Sequence, residues 1–162
     1  MNAKDVLTAS MDLSDYILKT YLADLSDADL MTRPTAGCNH LAWQLGHLIQ
    51  SEKGLLEMVC PGAGANLPAG FQEQHSKETT GCDDATKFLS KAKYLELYDA
   101  QRAATKAALA KLSDTDLDKP GPPDFKMCPT VGSVFNLIAS HGTMHSGQFA
   151  TARRVLGKPI VI

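Results

Sequence analysis

The sequence predicts an all-helical fold, a four-helix bundle, and three observations carry that prediction. Apolar residues recur at spacings of three and four along four long runs; no run alternates in the manner of a strand; and clusters of Pro and Gly fall between the runs. With 162 residues, 44% of them hydrophobic and 21% charged, the chain is most simply one domain, residues 1–162, with enough apolar content for a core of its own.

The first run, about residues 2–23, carries Val6, Leu7, Met11, Leu13, Ile17, Leu18, Tyr21 and Leu22 on one side and Lys and Asp on the other. Pro34 and Gly37 break the chain before the second run, about residues 39–59, whose apolar face is Leu41, Leu45, Leu48, Ile49, Leu55, Leu56 and Val59. Pro61 and Gly62 end it, and a long loop follows to about residue 83, rich in Gly, Ala and polar residues. Loops of that length in a small domain are usually functional, such as a lid, or mobile. The third run is expected over about 84–112 from an Asp cap at Asp84, with Phe88, Leu89, Leu95, Leu97, Tyr98 and Leu109. Pro120, Pro122, Pro123 and Pro129 interrupt the next linker. Thr130 can then cap a fourth run, about 131–156, stopped by Gly157 and Pro159.

One phrase occurs twice. Leu25-Ser-Asp-Ala-Asp-Leu30 and Leu112-Ser-Asp-Thr-Asp-Leu117 differ at a single residue, and each lies between a long run and a histidine-bearing one. Either a serviceable helix-exit turn has been used twice, or a helical hairpin is repeated with pseudo-two-fold symmetry, so that the second and fourth helices face a shared site.

Composition narrows the function. A formal net charge of −2 offers no basic footprint for nucleic acid and no polybasic surface for a membrane. The start, Met1-Asn2-Ala3-Lys4-Asp5, lacks the basic segment and apolar run of a signal peptide, and no apolar stretch nears the roughly 20 residues of a membrane span. A cytoplasmic location is expected. Cys38, Cys60, Cys82 and Cys128 have no CxxC spacing, so free thiols are expected in preference to a Cys60–Cys82 bridge across the long loop.

The chemistry lies with the histidines. His141 and His145 are four residues apart on the fourth helix, about 40° apart around its axis and one turn along it, so both imidazoles reach one point. That is what a transition metal asks of two ligands on one helix. For an isolated HxxxH pair, solvated or hydrogen-bonded core histidines are the commoner explanation. Here Leu137 and Ile138 one turn before, and Phe149 one turn after, place the pair at the edge of the buried stripe, where imidazoles without partners cost several kcal/mol. His47, on the second helix, is the candidate third ligand. His40 shares its face, but two turns separate them by about 10 Å, too far for one ion. His75 is expected to be solvated in the long loop, within reach of the site only if that loop closes as a lid. Glu52 and Tyr98 are candidates for hydrogen bonds to the ligands or for an acid–base role; Gln148, one turn beyond His145, is a candidate for orienting a ligand or substrate, or for helix packing.

Three imidazoles leave an ion with open positions, which suits catalysis, and imidazole ligation fits zinc, nickel, iron and copper. Such an ion lowers the pKa of a bound water to about 7 or strips the proton from a thiol. Gly142 occupies the place where the HExxH pattern needs its glutamate base, which removes zinc peptidase from consideration.

Two stretches carry a family resemblance. Leu137-Ile138-Ala139-Ser140-His141 followed by His145-Ser146-Gly147-Gln148 resembles the signature helix of the DinB/YfiT-like metalloenzyme superfamily, and Trp43-Gln44-Leu45-Gly46-His47-Leu48 resembles its other motif, a single histidine on the second helix. Helix number, loop lengths and size agree, so the resemblance spans nearly the whole chain. It implies a four-helix bundle binding a divalent transition metal, zinc or nickel ahead of iron, through His47, His141 and His145. It further implies a small-molecule substrate and, by analogy, thiol-dependent S-transfer with a low-molecular-weight thiol in detoxification or stress response; hydrolysis is the runner-up chemistry. The alternative is a non-enzymatic, damage-inducible metal-binding bundle that pairs as a homodimer.

Overall fold

Four long helices and two single-turn helices form in the computed structural model, which describes residues 1–162: α1 (Ala3–Leu22), α2 (Leu41–Val59), α3 (Phe71–Gln74), α4 (Lys91–Lys111), α5 (Asp114–Leu117) and α6 (Val131–Val155). The architecture is the expected all-helical bundle, and no strand interrupts it. Each long helix starts at a side chain that satisfies otherwise unpaired backbone N–H groups. Asn2 accepts from Asp5 N, His40 from Trp43 N, Ser90 from Lys93 N and Thr130 from Ser133 N.

The onset of α4 departs from the sequence expectation by seven residues. Asp84 does cap a turn, accepting from Thr86 N, but only the short 3-10 turn Ala85–Lys87 follows before the chain extends at Phe88. Tertiary contacts override local propensity here. The Phe88 ring packs edge-on against His40 with centroids 4.4 Å apart, and Lys91 Nζ donates to the carbonyls of Leu22, Ala23 and Leu25 at the end of α1.

The main packing pairs are α1 with α6, and α2 with α4 and with α6, with a lighter α1–α4 contact. α1 and α2, and likewise α4 and α6, therefore do not pack side by side, and the expected helical hairpins do not form. The symmetry half of the expectation survives: exchanging α1 with α4 and α2 with α6 maps the α1–α6 pairing onto α4–α2. The repeated phrase also makes the same structure twice. Ser26 N donates to Asp29 Oδ2 at 2.8 Å while Asp29 N donates to Ser26 Oγ at 3.1 Å, and Ser113 and Asp116 repeat this at 2.8 and 3.2 Å.

The core is divided. One apolar cluster gathers Leu18, Leu22, Leu45, Ile49, Tyr94 and Phe149; the other gathers Met11, Leu56, Leu109, Val134, Phe135 and Ile138. Between them the four long helices contribute a buried polar layer: Ser14, Glu52, Gln101, Arg102, Thr105 and Ser146. The four cysteines are free thiols, and no helix is long and apolar enough to cross a membrane.

The long loop packs along the outside of α2. Contrary to the expectation of a solvated residue, His75 is 0% exposed. Its ring lies over Gly46, where any Cβ would overlap it. Its Nδ1 is 2.7 Å from Phe71 O and its Nε2 2.7 Å from Tyr94 Oη. A carbonyl only accepts, so Nδ1 carries the proton and Nε2 accepts from the tyrosine. His75 is thus a neutral core histidine with both nitrogens used, and burial lowers its pKa to about 4.

Candidate metal centre

α2 and α6 pack together so that the strip of α2 bearing His47 faces the strip of α6 bearing His141 and His145. One ligand-capable atom from each of the three histidines lies within 4.8 Å of the others. The ring centroids are 5.2 Å (47–141), 5.3 Å (47–145) and 4.9 Å (141–145) apart. Nitrogens about 2.1 Å from one ion lie at most about 4.2 Å from each other, so small ring rotations bring this set onto one ion. The three predicted residues are brought together; His40, the cap of α2, and His75, behind Gly46, are not among them.

Two of the rings are held by different devices. His145 Nδ1 lies 2.9 Å from Gln44 Oε1. The amide of Gln44 is itself oriented, since its Nε2 donates to Asn39 O at 2.6 Å and leaves Oε1 to face the imidazole. Nδ1 of His145 must then be the donor, and the lone pair is on Nε2. A ligating histidine typically has its other nitrogen engaged in this way. His47 stacks on Trp43, with centroids 5.1 Å apart and planes inclined by 9°, and Trp43 is fixed by donating from Nε1 to Thr79 Oγ1 at 3.0 Å. The long loop therefore supports the site from behind α2. Burial depresses the pKa of all three imidazoles, to about 4 for His141 and about 3 for His145, with the neighbouring histidines adding repulsion at those two. All three are neutral at pH 7, the form that binds a metal. Donor type, tautomer and protonation state fit a divalent transition metal.

Glu52 and Tyr98 belong to the polar layer behind the histidines. Arg102 lies 3.0 Å from Asp15 and 3.1 Å from Glu52, and donates to Tyr98 Oη at 3.0 Å. Tyr98 donates to Asp15 Oδ1 at 2.8 Å, and Thr105 to Glu52 Oε1 at 2.6 Å. Burial raises the Glu52 carboxyl, against the opposing pull of Arg102. His141 borders this layer beside Glu52, Tyr98 and Arg102, across a gap with no room for a water. Gly142 sits where α6 meets α1, and a Cβ there would come within 2.5 Å of Ser14 Oγ. The residue that departs from the peptidase pattern is therefore also a packing requirement.

On their other side the histidines open into a cavity of roughly 460 Å³. His47 and His141 form part of its wall; Ser51, Gly54, Leu55 and Met58 of α2, Leu137 and Met144 of α6, and Phe125 and Met127 of the preceding linker complete it. That linker is closed on itself by Gly121 N donating to Pro129 O at 2.9 Å and Val131 N to Lys119 O at 2.9 Å, which presents Phe125 and Met127 to the cavity. A larger cavity of roughly 660 Å³ beyond Ser51 and Gly54 is lined by Lys53, Glu57, Glu73 and other polar groups and touches none of the three histidines, so the chemistry lies with the smaller one.

Sequence reasoning did not find Gln44, Phe125 or Met127. Gln44 is three residues before His47 and thus on the same face, a signal present in the sequence. The linker residues have no periodicity that could have placed them. The hydrogen bond that orients His145 is made with Gln44 and not with Gln148.

A helical bundle carrying three convergent imidazoles beside an apolar cavity defines a class of candidate metal-binding bundles. The chain belongs to the DinB superfamily, whose family model matches residues 14–149. The fold is similar to that of a conserved protein of Enterococcus faecalis, with 19% identity, a TM-score of 0.73 and coverage of 98% of this chain and 99% of that one. It is also similar to YfiT from Bacillus subtilis, described as a probable metal-dependent hydrolase with an unusual four-helix bundle topology, with 18% identity, a TM-score of 0.67 and coverage of 96% and 89%. None of the curated proteins matches the chain.

Proposed function

We propose that the chain is a metal-dependent enzyme in which His47, His141 and His145 hold a divalent transition metal, zinc or nickel ahead of iron, and that it hydrolyses a small-molecule substrate. The observation that carries this reading is the pairing of three neutral imidazoles with a cavity that has no charged wall. Metal-free acid–base catalysis at neutral pH is most effective with an imidazole that titrates near 7, whereas burial lowers all three here, His141 to about 4 and His145 to about 3, and the cavity wall adds no carboxylate or lysine. A three-histidine ion, when bound, acidifies the nucleophile and polarises the bond it attacks. The protein's part is to hold that centre. Gln44 fixes the tautomer of His145, Trp43 backs His47, and Leu55 and Leu137 limit water at the cavity wall. The likeness to YfiT supports hydrolysis as the reaction.

Thiol-dependent S-transfer in detoxification or stress response is the second reading. It is favoured by Met58, Met127 and Met144 at the cavity, polarisable thioethers that suit a thiol and a soft electrophile. The two readings separate in one experiment. Zinc- or nickel-loaded protein is given p-nitrophenyl acetate and, separately, cysteine with 1-chloro-2,4-dinitrobenzene. Metal-dependent release of nitrophenol that disappears in His47→Ala is expected; metal-dependent arylation of the thiol alone would select the second reading. Rates unchanged in His47→Ala in both assays contradict metal catalysis.

A further inference from the structure

We propose that the cavity beside the histidines receives an uncharged, apolar chain of the substrate, so that the part of the substrate held away from the metal is an alkyl or aryl tail; this rests on the metal centre proposed above. Of the ten residues around the cavity none is Lys, Arg, Asp or Glu, and the only polar ones are Ser51 and the two histidines. Away from the metal centre, a carboxylate or phosphate on the tail of the substrate would find no cationic side chain in the wall to offset its desolvation. What the wall offers is Leu55, Leu137, Phe125 and three methionines, all apolar surface. Met58 is 55% exposed, Met127 69% and Met144 65%, so three flexible thioethers stand unpacked around a concave wall and can re-pack over chains of different shape. The volume, roughly 460 Å³, is in the range of small-ligand sites.

Two features favour a substrate chain over a second copy of the protein as the occupant. The cavity is concave with walls from α2, α6 and the linker, and His47 and His141 form part of its surface. A partner seated there would close the histidines off from any substrate. Gly54 adds to the shape. It lies inside α2, where glycine weakens a helix, and nothing comes within 4 Å of a Cβ placed on it. It borders both this cavity and the larger polar one, so its missing side chain keeps the apolar cavity open on that side.

Hydroxamates test this without turnover, because the head group chelates the metal and the tail probes the wall. Binding of acetohydroxamate, octanohydroxamate and the monohydroxamate of succinic acid to zinc-loaded protein is measured by calorimetry, alongside metal content and sedimentation. Octanohydroxamate is expected to bind at least tenfold more tightly than acetohydroxamate, and the succinate derivative no more tightly. Gly54→Leu, whose Cβ meets nothing within 4 Å and whose side chain takes up space at the cavity edge, and Met58→Lys, which charges it, are expected to keep the metal and the acetohydroxamate affinity while losing the gain from the tail. Metal-loaded protein with equal affinity for short and long tails overturns the proposal and leaves the metal centre standing. Protein that takes up no metal and binds none of the three overturns both. A dimer that Met58→Lys converts to monomer shows the wall to be an interface between copies, which also overturns it.

Discussion

Gln44 and His145, 101 positions apart in sequence, are joined by a 2.9 Å hydrogen bond across the α2–α6 interface. Since Gln44 in turn donates to Asn39 O at the start of α2, the orientation of one candidate ligand is set by the backbone where that helix begins. The expected consequence is that Gln44→Met leaves the helical content intact and lowers metal affinity about 10- to 100-fold, the usual effect of losing a partner that orients a ligating histidine. Competition with a chromogenic chelator measures it. Unchanged affinity would mean that the hydrogen bond has no bearing on metal binding.

The buried polar layer yields a stability prediction. Arg102, 3% exposed, is shared by Asp15, Glu52 and Tyr98. Arg102→Met leaves the buried Glu52 without its cation, while Asp15 keeps Lys106 at 3.2 Å, and a loss on the order of 3–5 kcal/mol is expected in urea unfolding. A loss below about 1 kcal/mol would show that the pair behaves as a solvent-screened one.

Gly46 and His75 make a tighter test of packing. Gly46→Ala places a methyl group where the His75 ring lies, so the ring must leave its bonds to Phe71 and Tyr94. A destabilisation of about 1–3 kcal/mol is expected, although alanine is the better helix former at an unconstrained site. A more stable Gly46→Ala protein would contradict the buried position of His75.

Acid should destabilise the metal-free protein through its histidines. Burial holds His75 near a pKa of about 4, below its ordinary 6.5, and lowers His40 as well, despite opposing hydrogen bonds to backbone carbonyls. The unfolded chain therefore binds more protons than the folded one between those values, and stability falls as pH drops below about 6.5 until the folded-state value is passed near pH 4. Denaturant midpoints measured from pH 8 to 4 should show this slope, shallower in His75→Asn. A midpoint that does not fall over this range would contradict it.

The helices and the histidine cluster were legible in sequence because both rest on local spacing. His141 and His145 need only the pitch of one helix to converge, and the apolar stripe next to them marks the buried side. What sequence could not supply depends on how elements meet. Asp84 and Ser90 are both good caps, and the choice between them is made by Phe88 on His40 and by Lys91 at the end of α1. The repeated Leu-Ser-Asp phrase pointed to symmetry, yet nothing local says that α1 pairs with α6 instead of with α2. His75 looked solvated because its loop is polar; the contrary signal was Gly46, a residue with no side chain in the middle of an apolar helix.

Metal content, measured by mass spectrometry on purified wild type and His145→Ala, is the most direct measurement on the three-histidine centre. About one equivalent of zinc, nickel or iron per chain is expected in the wild type, falling to background in the variant while its circular dichroism stays helical. Wild-type protein that holds no metal even after reconstitution, or a His145→Ala protein that retains its full complement, would contradict metal binding by His47, His141 and His145.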